Sequence, residues 1–187
     1  MAATWKNDWN TGIEMIDLQH QRILEYINKL GNMLPTCNAQ PTSDHGHEAD
    51  EYAHYCSLFE SLSTAEFGFV LDQLIAYVEA HFNFEENLHL DSKYELAVPH
   101  KETHDLFIKR LQKYREKYSH GEDVADKLYR VLEKWIEQHI QYDMDYAATV
   151  KHPPTTLIAH EQVFEKKYPR NWFTRTLSAF SKDLTQD

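Results

Sequence analysis

The stretch Phe67-Gly-Phe-Val-Leu-Asp-Gln-Leu-Ile-Ala-Tyr-Val-Glu-Ala-His81-Phe-Asn-Phe-Glu85-Glu-Asn-Leu88 decides the architecture. Within it Phe67, Leu71, Leu74, Val78, His81, Glu85 and Leu88 recur in steps of four and three, the signature of one inward helical seam. Two positions of that seam are not apolar. His81 and Glu85 stand one helical turn apart, so their side chains project side by side towards the same point. Ser63 and Glu66 precede the seam in capping-box spacing, which predicts a helix start near Thr64.

Outward from this segment the same period returns three times. Ile16, His20, Ile23, Ile27, Leu30 and Leu34 form the stripe of a first helix, with Asp17 expected to cap its N-terminus and Pro35 to mark its end. Pro99 suits the first position of a third helix that carries His100, His104, Phe107, Leu111, Tyr114 and Tyr118 on one face and stops at Gly121. A fourth, from about Val124 to Lys151, aligns Leu128, Leu132, Trp135, His139, Asp143, Tyr146 and Val150 before Pro153 and Pro154. No alternating strand pattern competes, so the expected fold is all-α: an up-down-up-down four-helix bundle with an N-terminal arm, an extended link between the first two helices and a C-terminal helical tail. The bundle is expected over 1–152, with an insertion at 35–64, and the extension over 153–187.

Composition narrows the classes of function. The formal charge of −11 repels phosphates over most of the surface and argues against nucleic acid as a partner. Only Cys37 and Cys56 occur, off the histidine-bearing stripes, so they make neither a disulfide framework nor a thiolate cage and point weakly to a reducing compartment. No apolar run approaches the roughly 20 residues of a membrane span, and no leader-like segment opens the chain. The expectation is a cytoplasmic protein without an integral membrane segment.

Seven polar residues therefore fall on four inward stripes: His20, His81, Glu85, His100, His104, His139 and Asp143. A lone histidine on such a stripe is more often a hydrogen-bonded core residue than a ligand, and His81 with Glu85 alone could be an ion pair at an exposed edge. Burying all seven at one level without a cation is far more costly, on the order of 2 kcal/mol or more per unpaired group. Imidazoles with two carboxylates able to bridge suit a pair of transition ions, with iron, manganese and zinc all compatible with the donor types.

The motifs Trp9-Asn-Thr-Gly-Ile-Glu-Met-Ile-Asp-Leu-Gln-His20, His81-Phe-Asn-Phe-Glu85-Glu86, His100-Lys-Glu-Thr-His104 and Trp135-Ile-Glu-Gln-His139-Ile140 together resemble the bacterial hemerythrins, over about Trp5 to Tyr146. The resemblance implies two non-haem iron ions with an oxo or hydroxo bridge. His100, His104 and His139 would hold one, His20 and His81 the other, and Glu85 and Asp143 would join them. It further implies reversible dioxygen binding at the open position of the second iron, for storage, delivery or sensing, rather than enzymatic turnover. Ile23, Phe107, Trp135 and Ile136 are candidates to line a dry oxygen pocket. One departure concerns the last ligand: the family pattern places an Asp five residues after the late His, where this chain has Met144 between Asp143 and Asp145. At about 100° per residue Asp143 lies some 40° from His139 around the helix and Asp145 about 120°, which favours Asp143. Tyr146 follows Asp143 at the family's three-residue distance.

Several segments are additions to this pattern. Pro35 to Thr64 carries five acids and no Lys or Arg, with Tyr52, Tyr55, Cys56, Phe59 and Leu62 spaced for a short amphipathic helix over one end of the bundle. His45, His47 and His54 have nothing to fix them as ligands, and Glu86, His89, His120, His152 and His160 are expected around the site or on the surface. Lys166 to Lys182 holds five basic residues and no acids, while Trp172, Phe173, Leu177, Phe180 and Leu184 share a helical face. Residues 166–184 could dock on a protein or membrane surface or fold back on the acidic bundle. The competing functions are a di-iron enzyme acting on peroxide or nitric oxide, motivated by the shortened His139 to Asp143 spacing, and an oxygen-responsive signalling module.

Overall fold

The computed structural model describes residues 3–34, 48–150 and 156–169, with side chains in the second segment from Thr64 onward. Among the described residues five α-helices follow one 3-10 turn at Asn7–Trp9: α1 (Glu14–Asn32), α2 (Glu48–Asp91), α3 (Ala97–Ser119), α4 (Ala125–Thr149) and α5 (Leu157–Lys167). Among the described residues there is no strand, and no helix is long and apolar enough to cross a membrane. α1 packs on α2 and α4, α2 on α3, and α3 on α4, closing a four-membered ring. Its interior is the predicted set of stripes: Ile23, Ile27, Leu30, Leu71, Leu74, Val78, Leu111, Leu128, Leu132 and Ile136 are all fully buried. Helix direction follows from where the polar residues meet. His20 lies in the second turn of α1 and His100 at the start of α3, whereas His81 and His139 lie in the later parts of α2 and α4. One shared level for all four requires alternating directions.

Three local expectations need correction. The second helix does not begin near Thr64, and the short helix expected within the link is not separate from it: the backbone is helical without interruption from Glu48 to Asp91. No Gly or Pro interrupts 48–64, and Glu and Ala there favour the helix, so nothing stops propagation past a capping-box spacing. Glu66, freed from any capping duty, pairs with Lys29 across the α1–α2 contact at 2.9 Å. Tyr52, Tyr55, Cys56, Phe59 and Leu62 thus belong to α2 itself; their side chains, together with that of His54, lie outside the described set, as do Cys37, His45, His47 and His152 altogether. Second, α1 starts at Glu14, ahead of Asp17. Asp17 reaches back instead, its Oδ1 accepting from the backbone N–H of Thr11 at 2.9 Å and from the Thr11 hydroxyl at 2.8 Å, which tethers the arm to the helix. Third, α3 starts at Ala97, two residues ahead of Pro99, in the first turn where proline's missing N–H still costs nothing. Its other end behaves as expected: Gly121 takes φ +77°, with N–H bonds from Gly121 to Tyr118 and from Glu122 to Lys117 closing a Schellman cap.

The arm and the extension both fold onto the bundle. Ala3 exchanges two hydrogen bonds with the Asn28 side chain, Lys6 pairs with Glu137 of α4, and Trp5 and Trp9 meet edge to face at 5.8 Å against the core. α5 lies on α2. Phe164, itself buried, contacts Tyr77 and Phe84 at 5.6 and 5.8 Å between ring centroids, and the Tyr168 hydroxyl donates to the Ala76 carbonyl at 3.0 Å. Asp91 accepts from Thr156 and from His160. The aromatic face of 172–184 falls beyond the described residues.

Candidate metal centre

All seven stripe residues converge. His20, His81, Glu85, His139 and Asp143 present ligand-type atoms within 4.8 Å of one another, and Glu85, His100, His104 and His139 form a second such group that shares Glu85 and His139 with the first. Every one of the seven is buried, Glu85 and Asp143 completely. The two carboxylates span the groups. Glu85 turns Oε1 to His81 at 3.1 Å and His20 at 3.7 Å, and Oε2 to His104 at 3.4 Å and His139 at 3.6 Å. Asp143 turns Oδ2 to His20 at 2.9 Å and His139 at 3.2 Å, and Oδ1 to His100 at 3.4 Å. Each carboxylate thus offers its oxygens to different histidines, the disposition a bridging ligand requires.

Met144 is half-buried and Asp145 is exposed, bonded only along its own helix by Gln141 at 3.4 Å. Asp143 is the acid that faces inward, as its angular offset from His139 requires.

The electrostatics are those of a buried site that disfavours the charged form of each of these groups. Burial, followed by the neighbouring Asp143, pushes the Glu85 carboxyl well above the usual range. Burial, then neighbouring imidazoles, pushes His81 and His139 well below theirs, and takes His104 down to about 2. His81 Nε2 and His139 Nε2 stand only 2.8 Å apart. Both Glu85 oxygens, Asp143 Oδ1, His100 Nε2 and His104 Nε2 are buried without a hydrogen-bond partner. Native interiors rarely leave that many polar atoms unsatisfied in one place, and cations seated between them would satisfy all of them together. The donor set therefore fits a non-haem metal centre.

Outer contacts orient the rings. Gln19 Oε1 meets His81 Nδ1 at 2.7 Å and Glu86 Oε1 meets His104 Nδ1 at 3.2 Å, so in both residues Nε2 is the nitrogen left for the site. Phe82 stacks on His104 at 3.7 Å and Trp135 on His139 at 4.8 Å, and Phe107 stacks in turn on Trp135 at 3.7 Å. Phe82 thus covers His104, and Trp135, backed by Phe107, covers His139. Ile23 and Ile136 are fully buried one turn from His20 and His139 respectively. Sequence reading passed over Gln19 and Phe82, each the chain neighbour of a stripe histidine. His89, expected around the site or on the surface, is buried and follows Glu85 by the same four residues that separate Glu85 from His81. His120 is exposed at the end of α3, and His160 sits on Asp91 in the α5 contact.

The comparisons with known proteins agree with this geometry. A protein-family model described as the hemerythrin HHE cation binding domain matches residues 11–143. A bacteriohemerythrin of Pseudomonas aeruginosa strain LESB58 is 33% identical over 177 residues, covering 94% of this chain and 95% of the relative. One from Stenotrophomonas maltophilia strain R551-3 is 34% identical over 178 residues with the same coverage, and one from Clostridium acetobutylicum is 26% identical over 76% of this chain and 96% of its own. With the match spanning all four ring helices and every converging residue, the chain belongs to the hemerythrin family.

Proposed function

We propose that this protein binds dioxygen reversibly at a pair of non-haem iron ions, as an oxygen-binding protein rather than an enzyme. The carrying observation is the convergence of five buried histidines on two buried carboxylates, whose four oxygens are each turned to at least one of those rings. His139 stands between the two donor groups, 3.6 Å from Glu85 Oε2 and 3.2 Å from Asp143 Oδ2. In the arrangement the family resemblance implies, His139 joins His100 and His104 on one ion, and the ion left to His20 and His81 has fewer protein donors and room for a small diatomic ligand. Iron held by these residues would supply the redox chemistry of reversible binding. The protein's part is to hold donors rigidly and keep water away. Gln19 and Glu86 lock two rings, while Ile23, Phe82, Phe107, Trp135 and Ile136 surround the histidines with apolar surface that stabilises neutral imidazole and offers no proton.

The histidine-rich donor set supports carriage over turnover, since fewer anionic ligands favour high-valent iron less. Iron-loaded, reduced protein exposed to air and then to vacuum tests this. Carriage predicts a visible absorption that appears in air, disappears on deoxygenation and returns over repeated cycles, with oxygen uptake matched by release. Irreversible oxidation on the first exposure, or sustained consumption of peroxide or nitric oxide, would replace carriage with enzymatic chemistry.

A further inference from the structure

His89 is 1% exposed, and neither of its ring nitrogens has a hydrogen-bond partner. Its ring is enclosed by Tyr146 at 4.2 Å, His100 at 4.7 Å and Tyr94 at 5.1 Å, yet the Tyr146 hydroxyl is engaged with Ser92 instead. An imidazole buried with two unused nitrogens is a poor packing residue, because an apolar side chain of similar size would fill that space without an unsatisfied donor and acceptor. Along α2, His81, Glu85 and His89 continue one line of donors at four-residue steps. The second step places a ligand-type atom of His89 within 4.8 Å of those of His100 and Asp143.

We propose that His89 is an eighth metal-binding side chain, which with His100 and Asp143 forms an alternate seat for the ion otherwise held by His100, His104 and His139. Two imidazoles and one carboxylate suit a first-row divalent ion such as Fe²⁺, Co²⁺ or Zn²⁺. His100 and Asp143 are common to both seats, so the alternate position serves when the three-histidine shell is incomplete, during loading or loss of the ion. The proposal rests on the reading of His100 and Asp143 as ligands.

Equilibrium titration of metal-free protein with Co²⁺, followed by visible absorption and bound-metal analysis, tests it in the parent, H104A, H89F and H104A/H89F. The expected result is two ions in the parent, in H89F and in H104A, with the second ion bound at least tenfold more weakly by H104A/H89F than by H104A. Equal second-ion affinity in those two variants would overturn the proposal, as would loss of the second ion from H104A alone. A parent that binds no Co²⁺ would instead overturn the metal-centre reading beneath it. Helical circular dichroism is checked for each variant. If H89F fails to fold, H89M takes its place, filling the space with a flexible thioether and no nitrogen donor.

Discussion

At the scale of single residues, the chemistry turns on which acid of α4 faces the bundle. Asp143 touches three histidines while Asp145 is exposed, so Asp143→Ala should sharply lower the metal bound per chain and Asp145→Ala should leave it at the parent level, as read by elemental analysis. The opposite outcome would move the bridge to Asp145. Gln19 acts through His81, whose Nδ1 it holds at 2.7 Å. Gln19→Leu should keep the fold and weaken metal binding by about 10- to 100-fold, the usual consequence of removing an orienting partner. The seven inward residues were legible because helical period alone puts them in phase with apolar neighbours. Gln19 and His89 were not. Residue type and spacing reveal that a side chain points inward, but whether its polar atoms meet a partner depends on the neighbouring helix.

At the scale of the helices, α1 meets the Tyr129 ring of α4 at Gly31. A Cβ built there would lie 2.5 Å from the Tyr129 ring, so the missing side chain is what permits the crossing. Gly31→Ala gains up to about 1 kcal/mol of helix propensity but displaces a half-buried ring that also hydrogen-bonds Glu133, a strain of about 1–3 kcal/mol. The expected sum is a net loss of roughly 1 kcal/mol in urea unfolding, reversed to a gain in a Tyr129→Leu background. Element type was plain from periodicity for the four helices of the ring, and element boundaries were not. The Ser63 and Glu66 spacing and the Asp17 carboxylate are local signals equally compatible with a helix already under way. A helix start is decided by what precedes it, and the residues before each of these allow the helix to continue.

For the molecule as a whole, the buried histidines tie stability to pH once metal is removed. His89 titrates near 4 and His104 near 2 in the folded chain, against about 6.5 when unfolded. Below pH 6.5 the unfolded chain therefore binds more protons than the folded one. The stability present above 6.5 is lost as pH falls, by about 1.4 kcal/mol per pH unit for each such histidine until its folded pKa is reached. The chelated protein should accordingly show urea midpoints that decline steadily from pH 7 through 6 to 5. A midpoint flat across that range would mean these rings have partners in solution.

The stacked column of Phe107, Trp135 and His139 gives the molecule an optical property as well as a packed wall. An indole excited state in face-to-face contact with a prospective ligand ring lies within easy reach of a redox-active ion for energy or electron transfer. Filling the centre with iron should therefore dim the emission of Trp135, and withdrawing it should restore the light. The protein carries its own gauge of occupancy, readable without a label.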